Sequence, residues 1–245
     1  MYGYRGKILY ADLTAGRTEV RDLPEDLARQ YLGGVGIASR LLFELEAWRH
    51  DPLSPGNTFI VMTGPLTGTP MPGSGRCIIS ARSPQTGGFG SSAVGGFFAS
   101  RLKSAGYDGI VVTGASPEPA YLMIDRKGAS IQPAGVIWGR VTSQVAELIA
   151  EEQGKSSVNT LSIGPAGENG VLYAAVMGGS HNAAGRTGLG AVMGSKKLKA
   201  IAVAGGGKPE LFDREGFMEL RKRIKKVLED DIGCRAYTKY GTDGT

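Results

Sequence analysis

Glycine-rich segments with an arginine nearby are the part of this sequence best suited to chemistry. They are PMPGSGR, which ends at Arg76, SPQTGGFGSSAVGG at 83–96, and HNAAGRTGLG at 181–190, which contains Arg186. Runs of small residues expose backbone groups that cradle anions, the guanidinium group suits phosphate, and carbonyl oxygens can hold a hard cation between phosphates. This combination predicts a flat, phosphate-bearing cofactor. Composition alone leaves open the alternative that these segments are only tight turns.

Other catalytic patterns are absent from the sequence. GLGAVMGSK lacks the glycine spacing of a P-loop or a dinucleotide fingerprint, and no serine nucleophile elbow occurs. His50 and His181 cannot form a metal site alone, and His181 is either a hydrogen-bond donor or a structural histidine. Cys77 and Cys234 are too few for a four-thiolate metal or iron–sulfur site.

Composition narrows the class of protein. Hydrophobic residues make up 41% of the 245-residue chain, enough for an ordinary core, and the 39 glycines indicate tight turns and close backbone approach. A net charge of +5 allows an anionic ligand but is weak evidence for nucleic acid. The sequence shows neither a membrane-spanning apolar run nor a signal peptide. Two widely separated cysteines indicate a reducing, cytoplasmic compartment.

Apolar periodicity and turn residues predict alternating strands and helices. The predicted helices follow Pro24, cover 37–45, and run from a cap at Thr142 to Glu152. The predicted strands are 7–13, 18–21, TFIVMT, 77–81, 110–113, 121–124, 129–132, 158–163 and 171–177.

The chain also contains a weak internal repeat. GPLTG at residue 64 is followed by Gly95, Gly96 and RLKSAGYDGIVVTG, and GPAGENG at residue 164 is followed by GLGAVMGSKKLKAIAVAG. Each half has the pattern of a strand, a Gly-Pro turn, a glycine-rich loop, a short lysine-bearing helix and a strand. This pattern predicts an α+β fold in which a β-rich domain with short helices is duplicated.

GGGKPE at 205–210 predicts a domain boundary. Residues 1–206 would form the N-terminal domain, and residues 207–245 a linker and the first helix of a truncated helical domain. Asp213 is predicted to cap that helix, which has one apolar and one basic face. The basic face is interpreted as solvated, with docking of an acidic partner as the alternative.

Eight collinear motifs carry a family resemblance: YGYRGKILYADLT, YLGGVGIASRLL, DPLSPGN, TGPLTGT, SPQTG, LKSAGYDGIVVTG, IGPAGEN and AAGRTGLGAVMGSKKLKAIAV. Together they resemble the N-terminal domain of the tungsten-containing aldehyde ferredoxin oxidoreductase family over residues 1–206. YTKYGT resembles the start of that family's next domain.

The resemblance implies a tungsten (or molybdenum) bispyranopterin cofactor whose phosphates are bridged by magnesium. The implied activity is oxidation of aldehydes to carboxylic acids, with electrons passing through a [4Fe–4S] cluster to ferredoxin. The cluster ligands and catalytic residues belong to later domains, so we expect none in this chain and no aldehyde turnover by it alone. A homo- or hetero-oligomer is expected, with no nucleic-acid or membrane partner. The alternative is a non-catalytic scaffold subunit or fragment that binds no metal.

The resemblance also assigns roles by position. Arg76 would bridge the pterin and the cluster. Ala93 and Ala183 would offer carbonyl oxygens to magnesium, although the family commonly has asparagine at the first of these positions. Asn182 stands where an arginine contacts the pterin in the family, which puts that contact in doubt.

The remaining assignments concern the backbone around Arg186, the expected basic anchor of the cofactor loop. Gly95, Ala184 and Gly185 resemble pterin-contacting positions, and a bulky side chain at any of them is expected to exclude the pterin before it unfolds the domain. The glycines around Arg186, which include Gly188 and Gly190, are expected to let the backbone approach the cofactor.

Overall fold

The computed structural model of the protein describes residues 1–155, 158–207 and 209–241. In these residues, twelve strands form two six-stranded mixed sheets. The first sheet contains β1 (Lys7–Asp12), β2 (Arg17–Asp22), β3 (Phe59–Met62), β4 (Cys77–Arg82), β5 (Phe89–Val94) and β6 (Gly109–Thr113). The second contains β7 (Ala120–Asp125), β8 (Gly128–Pro133), β9 (Asn159–Ser162), β10 (Val176–Gly178), β11 (Asn182–Ala184) and β12 (Leu198–Ala204).

Helices connect and cover the sheets. They are α1 (Glu25–Tyr31), α2 (Val35–Glu44), α3 (Phe98–Ala105), α4 (Thr142–Glu152), α5 (Pro165–Glu168), α6 (Leu189–Ser195), α7 (Arg214–Asp230) and α8 (Ile232–Tyr240), with a 3₁₀ turn at Ala47–Arg49. No helix in the described part of the chain combines the length and apolar character needed to cross a bilayer.

The two sheets are copies of one topology. The first has the order β2-β1-β6-β3-β4-β5, and the second has the order β8-β7-β12-β9-β10-β11. Each strand therefore has a counterpart six strands later. In both sheets the pair formed by the first and last strands of the repeat is parallel, and the other pairs are antiparallel. The predicted duplicated α+β domain is confirmed.

The core lies between the sheets and on their outer faces. Leu9, Val61 and Ile79 of the first sheet join Leu161 and Val203 of the second in one central cluster. Residues of α3 and α6 belong to this cluster as well. The outer face of the first sheet packs against α1 and α2, and that of the second packs against α4. Burial of apolar area in these clusters is the main stabilising contribution.

Most predicted elements are present, with three corrections. Only Val176–Gly178 of the predicted strand 171–177 is extended, because a turn continues from α5 through the bonds Val171 N→Ala166 O and Ala174 N→Val171 O. The glycine-rich segment 83–96 is not all loop: it contains β5, whose alternate residues face the core. Thr142 is the first residue of α4 rather than its cap. The helix predicted beyond Asp213 is present as α7, and none of its residues is buried.

The first C-terminal helix, α7, begins as predicted, and α8 follows it. Asp213 Oδ1 accepts a hydrogen bond of 2.9 Å from Gly216 N and caps α7. Arg221 Nε donates to the carbonyl oxygen of Pro70 at 2.8 Å, which links α7 to the N-terminal part of the chain. A domain boundary near residue 206 stays a prediction.

Three lysines of the described part of the chain are fully buried, which is an unusual feature of this core. Lys103 pairs with Asp108 at 2.5 Å, and Lys199 pairs with Glu168. Lys196 instead donates to the carbonyl oxygens of Pro55 and Gly114 at 3.0 and 2.9 Å. Burial lowers the pKa of Lys196 to about 8, because carbonyl dipoles replace water less completely than a carboxylate does.

This pKa predicts a specific pH dependence of stability. An unfolded lysine titrates at about 10.4, so the folded state holds its proton less tightly than the unfolded state. The cost of burying the charge is present in full below pH 8 and is relieved between about pH 8 and 10.4, by up to about 3 kcal/mol. Between these limits we expect the free energy of unfolding of the wild type to rise relative to that of Lys196→Met in urea titrations.

The control is Lys222→Met, on the exposed face of α7. It removes a lysine that is already in water, so its pH profile should run parallel to that of the wild type. Parallel profiles for Lys196→Met and the wild type would show that Lys196 titrates normally.

Candidate functional site

The β4–β5 and β10–β11 hairpins form one edge of each sheet, and these two edges lie side by side. Arg186 N donates to Ser92 Oγ at 3.3 Å, and a Cβ at Gly96 would lie 2.8 Å from Asn182 Nδ2. Segments 89–96 and 182–187 therefore run antiparallel to each other. We call these two segments the seam.

The strand registers make the two sides of the seam equivalent. Ala93 pairs with Ile78 of β4, and Ala183 pairs with Met177 of β10. Because β4 and β10 are counterparts, Ala93 and Ala183 occupy the same position in the two repeats. Both alanines are exposed. The seam thus has a local twofold relation that places these two predicted carbonyl donors on either side of its centre.

Gly95 and Gly185 are equivalent by the same register, but their surroundings differ. A Cβ at Gly185 would meet no atom within 4 Å, whereas a Cβ at Gly95 would lie 2.9 Å from Asn182 Oδ1. The half-buried Asn182 side chain also reaches the carbonyl oxygen of Gly178 at 3.5 Å. The backbone is therefore open at Gly185 and partly covered at Gly95.

Each hairpin carries one exposed arginine at its open end. Arg76 comes directly before β4, and Arg186 comes two residues after β11. A Cβ at Gly75 would lie 3.5 Å from the carbonyl oxygen of Gly96, so Arg76 lies at the Gly96 end of the seam. Arg76 also lines a cleft of about 430 Å³ beside the start of α2. The seam is flanked by one guanidinium group from each repeat.

Ala184 has a different environment from the other predicted contact positions. Its side chain is fully buried and belongs to the central core cluster. A larger residue there would disrupt packing between the sheets first. The expectation that bulk at Ala184 excludes a cofactor before it unfolds the domain is therefore wrong, and a contact at this position would have to use the backbone.

Two of the glycines near Arg186 have a structural explanation. Gly188 has φ +70°, and a Cβ there would overlap the carbonyl oxygen of Leu172. A Cβ at Gly190 would lie 2.5 Å from the carbonyl oxygen of Ala175. These glycines let α6 pack its backbone against segment 172–175, so the expectation that they serve the approach of a cofactor is wrong. Gly185 alone of the three faces open space.

The titratable groups near the seam do not form a side-chain metal site. Among the described residues, no three His, Cys, Asp or Glu side chains come together as a metal-binding group. Burial raises the pKa of the Cys77 thiol to about 12, so it stays protonated although it follows Arg76. His181 is exposed in the turn before β11. The seam therefore offers backbone carbonyls, backbone amides and two guanidinium groups, which suit an anion and a hard cation.

Sequence reasoning missed the polar residues that join the two sides of the seam. Ser83 Oγ donates to the carbonyl oxygen of Thr187 at 2.8 Å, and Ser92 Oγ accepts from Arg186 N. Both serines lie in the glycine-rich segment 83–96, but their partners are about a hundred residues away, so no local pattern predicts these contacts. The family resemblance assigned Ala93 and Ala183 to one ion, and the internal repeat is the sequence signal that relates their two positions.

Comparisons with known proteins agree with this geometry. Residues 8–205 match the family described as "Aldehyde ferredoxin oxidoreductase, N-terminal domain". The chain is 44% identical over 243 residues to the tungsten-containing aldehyde ferredoxin oxidoreductase of Thermococcus kodakarensis, an alignment covering 99% of this chain and 40% of the relative. It is 37% identical over 258 residues to the "Aliphatic sulfonate oxidoreductase, WOR-like subunit" of Pyrococcus furiosus, with the same shares covered.

A solved structure shows the same fold. The active-site complex BamBC of benzoyl coenzyme A reductase, in complex with 1,5-dienoyl-CoA, contains a chain with a TM-score of 0.90 and 37% identity. The match covers 93% of this chain and 35% of that chain. The chain described here therefore belongs to the aldehyde ferredoxin oxidoreductase family, a family of oxidoreductases. It spans about 40% of the length of the curated relatives.

Substitutions at Gly188 and Gly185 should differ in their effect on stability, because only Gly188 is packed against protein backbone. Gly188→Ala should destabilise the protein by at least about 2 kcal/mol, because it combines a left-handed φ with a backbone overlap. Gly185→Ala, the matched control, should change stability by no more than about 0.5 kcal/mol. Urea unfolding followed by circular dichroism measures both, and equal effects would contradict the assignment of Gly188 to backbone packing.

Proposed function

We propose that the seam is the base of a tungsten bispyranopterin site in an enzyme that oxidises aldehydes to carboxylic acids. The observation that carries this proposal is the local twofold relation of the seam, with Ala93 and Ala183 as counterparts. A cofactor made of two like halves suits a surface made of two like hairpins. The names of the tungsten-containing relatives support the choice of metal.

The residues present fit this group. The carbonyl oxygens of Ala93 and Ala183 are the hard donors that magnesium prefers, so these two residues would hold a magnesium ion that neutralises the phosphate charge of the cofactor. Arg76 and Arg186 would each neutralise anionic charge on one side. Gly185 would allow the closest approach of the backbone, since nothing occupies the space beside it.

Asn182 makes the two sides of this surface unequal. It is the counterpart of Ser92, which is buried, and it packs at Gly95 and Gly96. In the proposed site it would offer a neutral amide where the family has an arginine, so the charge on this side would come from Arg76. The two like halves of the cofactor would therefore meet different donors on the two sides of the seam.

When bound, the metal–pterin group would supply the two-electron redox chemistry, and the chain would supply binding and orientation. The seam residues hold the cofactor from one side. Among the described residues, no three His, Cys, Asp or Glu side chains come together as a metal-binding group, so the chain would hold the cofactor through backbone groups and through Arg76 and Arg186.

The remaining functional proposals concern the whole protein. A [4Fe–4S] cluster would take its ligands from outside this chain, because two cysteines, the buried Cys77 and Cys234 on α8, are too few for four thiolate ligands. Ferredoxin is the proposed electron acceptor, and a multi-subunit or homo-oligomeric assembly is proposed from the names of the relatives. Two free cysteines support the proposal of a reducing, cytoplasmic location.

Charge removal at the seam tests the proposal. In protein produced with tungstate in a pterin-synthesising host, Arg186→Ala and Arg76→Ala should each weaken cofactor retention by about tenfold or more, because each removes charge-assisted hydrogen bonds to phosphate. The lysine variants should restore it only in part. Elemental analysis and fluorescence of the released pterin should show tungsten and pterin falling together.

Arg223→Ala, on the exposed face of α7, is the control for loss of one positive charge. Full tungsten and pterin content in both seam variants would overturn the proposed site. Absence of metal and pterin from the wild type produced under these conditions would favour a scaffold function instead.

A steric prediction uses the open space at Gly185. Gly185→Val should lower the pterin content at least about tenfold, while the midpoint of thermal unfolding of the apoprotein stays close to that of Gly185→Ala. The reason is that the valine side chain would meet the cofactor and no part of the protein. Stoichiometric cofactor in the valine variant would contradict the placement of the cofactor at this backbone.

A further inference from the structure

A second cavity lies on the second sheet, away from the seam. It has a volume of about 590 Å³ and opens at the carboxyl ends of the parallel strands β7 and β12, beside Asp125 and Ala204. Two further strands, β9 and β10, separate β12 from the seam strand β11. Crevices outside the carboxyl ends of parallel strands are the usual place for a ligand in α/β sheets.

The lining of this cavity is strongly cationic. Four of the described lining residues are basic, and one carboxylate accompanies them. Asp125 pairs with Lys155 at 3.1 Å, and Arg101 Nη1 donates to the carbonyl oxygen of Gly205 at 3.1 Å. Arg126 and Lys127 project from the exposed β7–β8 turn. The carboxylate neutralises one of the four positive charges, so three positive charges remain. The four basic residues are Arg101, Arg126, Lys127 and Lys155.

The first repeat shows what a closed version of this crevice looks like. There Asp12 is the counterpart of Asp125 and Gly114 the counterpart of Gly205, by the pairing registers of the parallel strands. Thr14 Oγ1 accepts from Ala115 N at 3.1 Å, which ties the two loops together. The buried Lys196 also donates a hydrogen bond to the carbonyl oxygen of Gly114.

The second repeat has the aspartate of the first repeat but lacks the hydrogen bond between the two loops. Asp125 still accepts from the backbone of its turn, at 2.8 Å from Lys127 N, as Asp12 does at 3.0 Å from Thr14 N. Among the hydrogen bonds of the described residues, none joins this turn to Gly205 or Gly206. In the second repeat, the two loops that a hydrogen bond joins in the first repeat are separate. The cavity lies between them and is lined by basic side chains.

We propose that this cavity binds a diphosphate group, either free pyrophosphate or the diphosphate of a nucleotide. Guanidinium groups bind phosphate oxygens in a bidentate manner, and lysine adds a compact charge. A diphosphate carries two to three negative charges at neutral pH and matches the excess of positive charge. The volume lies in the range of about 300–1,000 Å³ typical of small-molecule sites, so the cavity has room for a nucleoside. This inference is independent of the function proposed for the seam.

Isothermal titration calorimetry tests the proposal. The purified 245-residue chain is titrated with pyrophosphate and with ADP at about 50 mM salt, which limits screening. The double variant Arg126→Gln/Lys127→Gln should weaken binding by about tenfold or more, since two charge-assisted contacts are lost. The matched control, Lys222→Gln/Arg223→Gln on α7, makes the same change in net charge and should bind like the wild type. Thermal melts of all three proteins establish that they are folded.

Tighter binding of ADP than of pyrophosphate assigns the site to a nucleotide, and equal or weaker binding of ADP assigns it to free phosphates. If both double variants bound the probes with equally weakened affinity, binding would depend only on the net charge of the protein. That result would overturn the proposal. Lack of binding of either probe at millimolar concentration would overturn it as well.

Discussion

The close approach of the two sheet edges at the seam is the constraint on which the rest of this structure depends. A Cβ at Gly178 would lie 2.7 Å from Val94 Cγ2, and one at Gly90 would lie 3.2 Å from Thr187 Oγ1. Small residues are needed wherever the hairpins meet, because a larger side chain would separate the sheets. This contact closes the central core at one edge, and it also covers β5 and β11, two edge strands that would otherwise offer unpaired backbone to other chains.

The same constraint explains why the glycines of this chain have more than one structural role. Near Arg186, Gly188 and Gly190 are required by backbone packing inside the domain, whereas Gly185 leaves open space on its surface. A glycine-rich sequence therefore indicates that another group lies close to the backbone, but it does not indicate whether that group is protein or ligand. The partner is a protein carbonyl at two of these positions, and a ligand is proposed at the third.

Local patterns in the sequence predicted most of the elements because their causes are local. The helix start after Pro24 and the cap at Asp213 are each determined by neighbouring residues. The extent of β10 could not be predicted, because the apolar residues 171–175 have the composition of a strand and the bonds that hold them as a turn come from α5. The twofold relation of Ala93 and Ala183 was also beyond local reasoning, since it depends on strand registers fixed by the whole sheet.

The position of β6 and β12 has a consequence for synthesis of the chain. Each is the last strand of its repeat, yet each lies in the interior of its sheet, between the first strand of the repeat and the third. A repeat emerging from the ribosome therefore cannot complete its sheet until its final strand is released and inserted between strands made earlier. Such late, non-local pairing makes folding slow relative to a sheet of successive hairpins. Until insertion, β1 and β3 have unpaired edges, and the nascent chain depends on protection from aggregation during that interval.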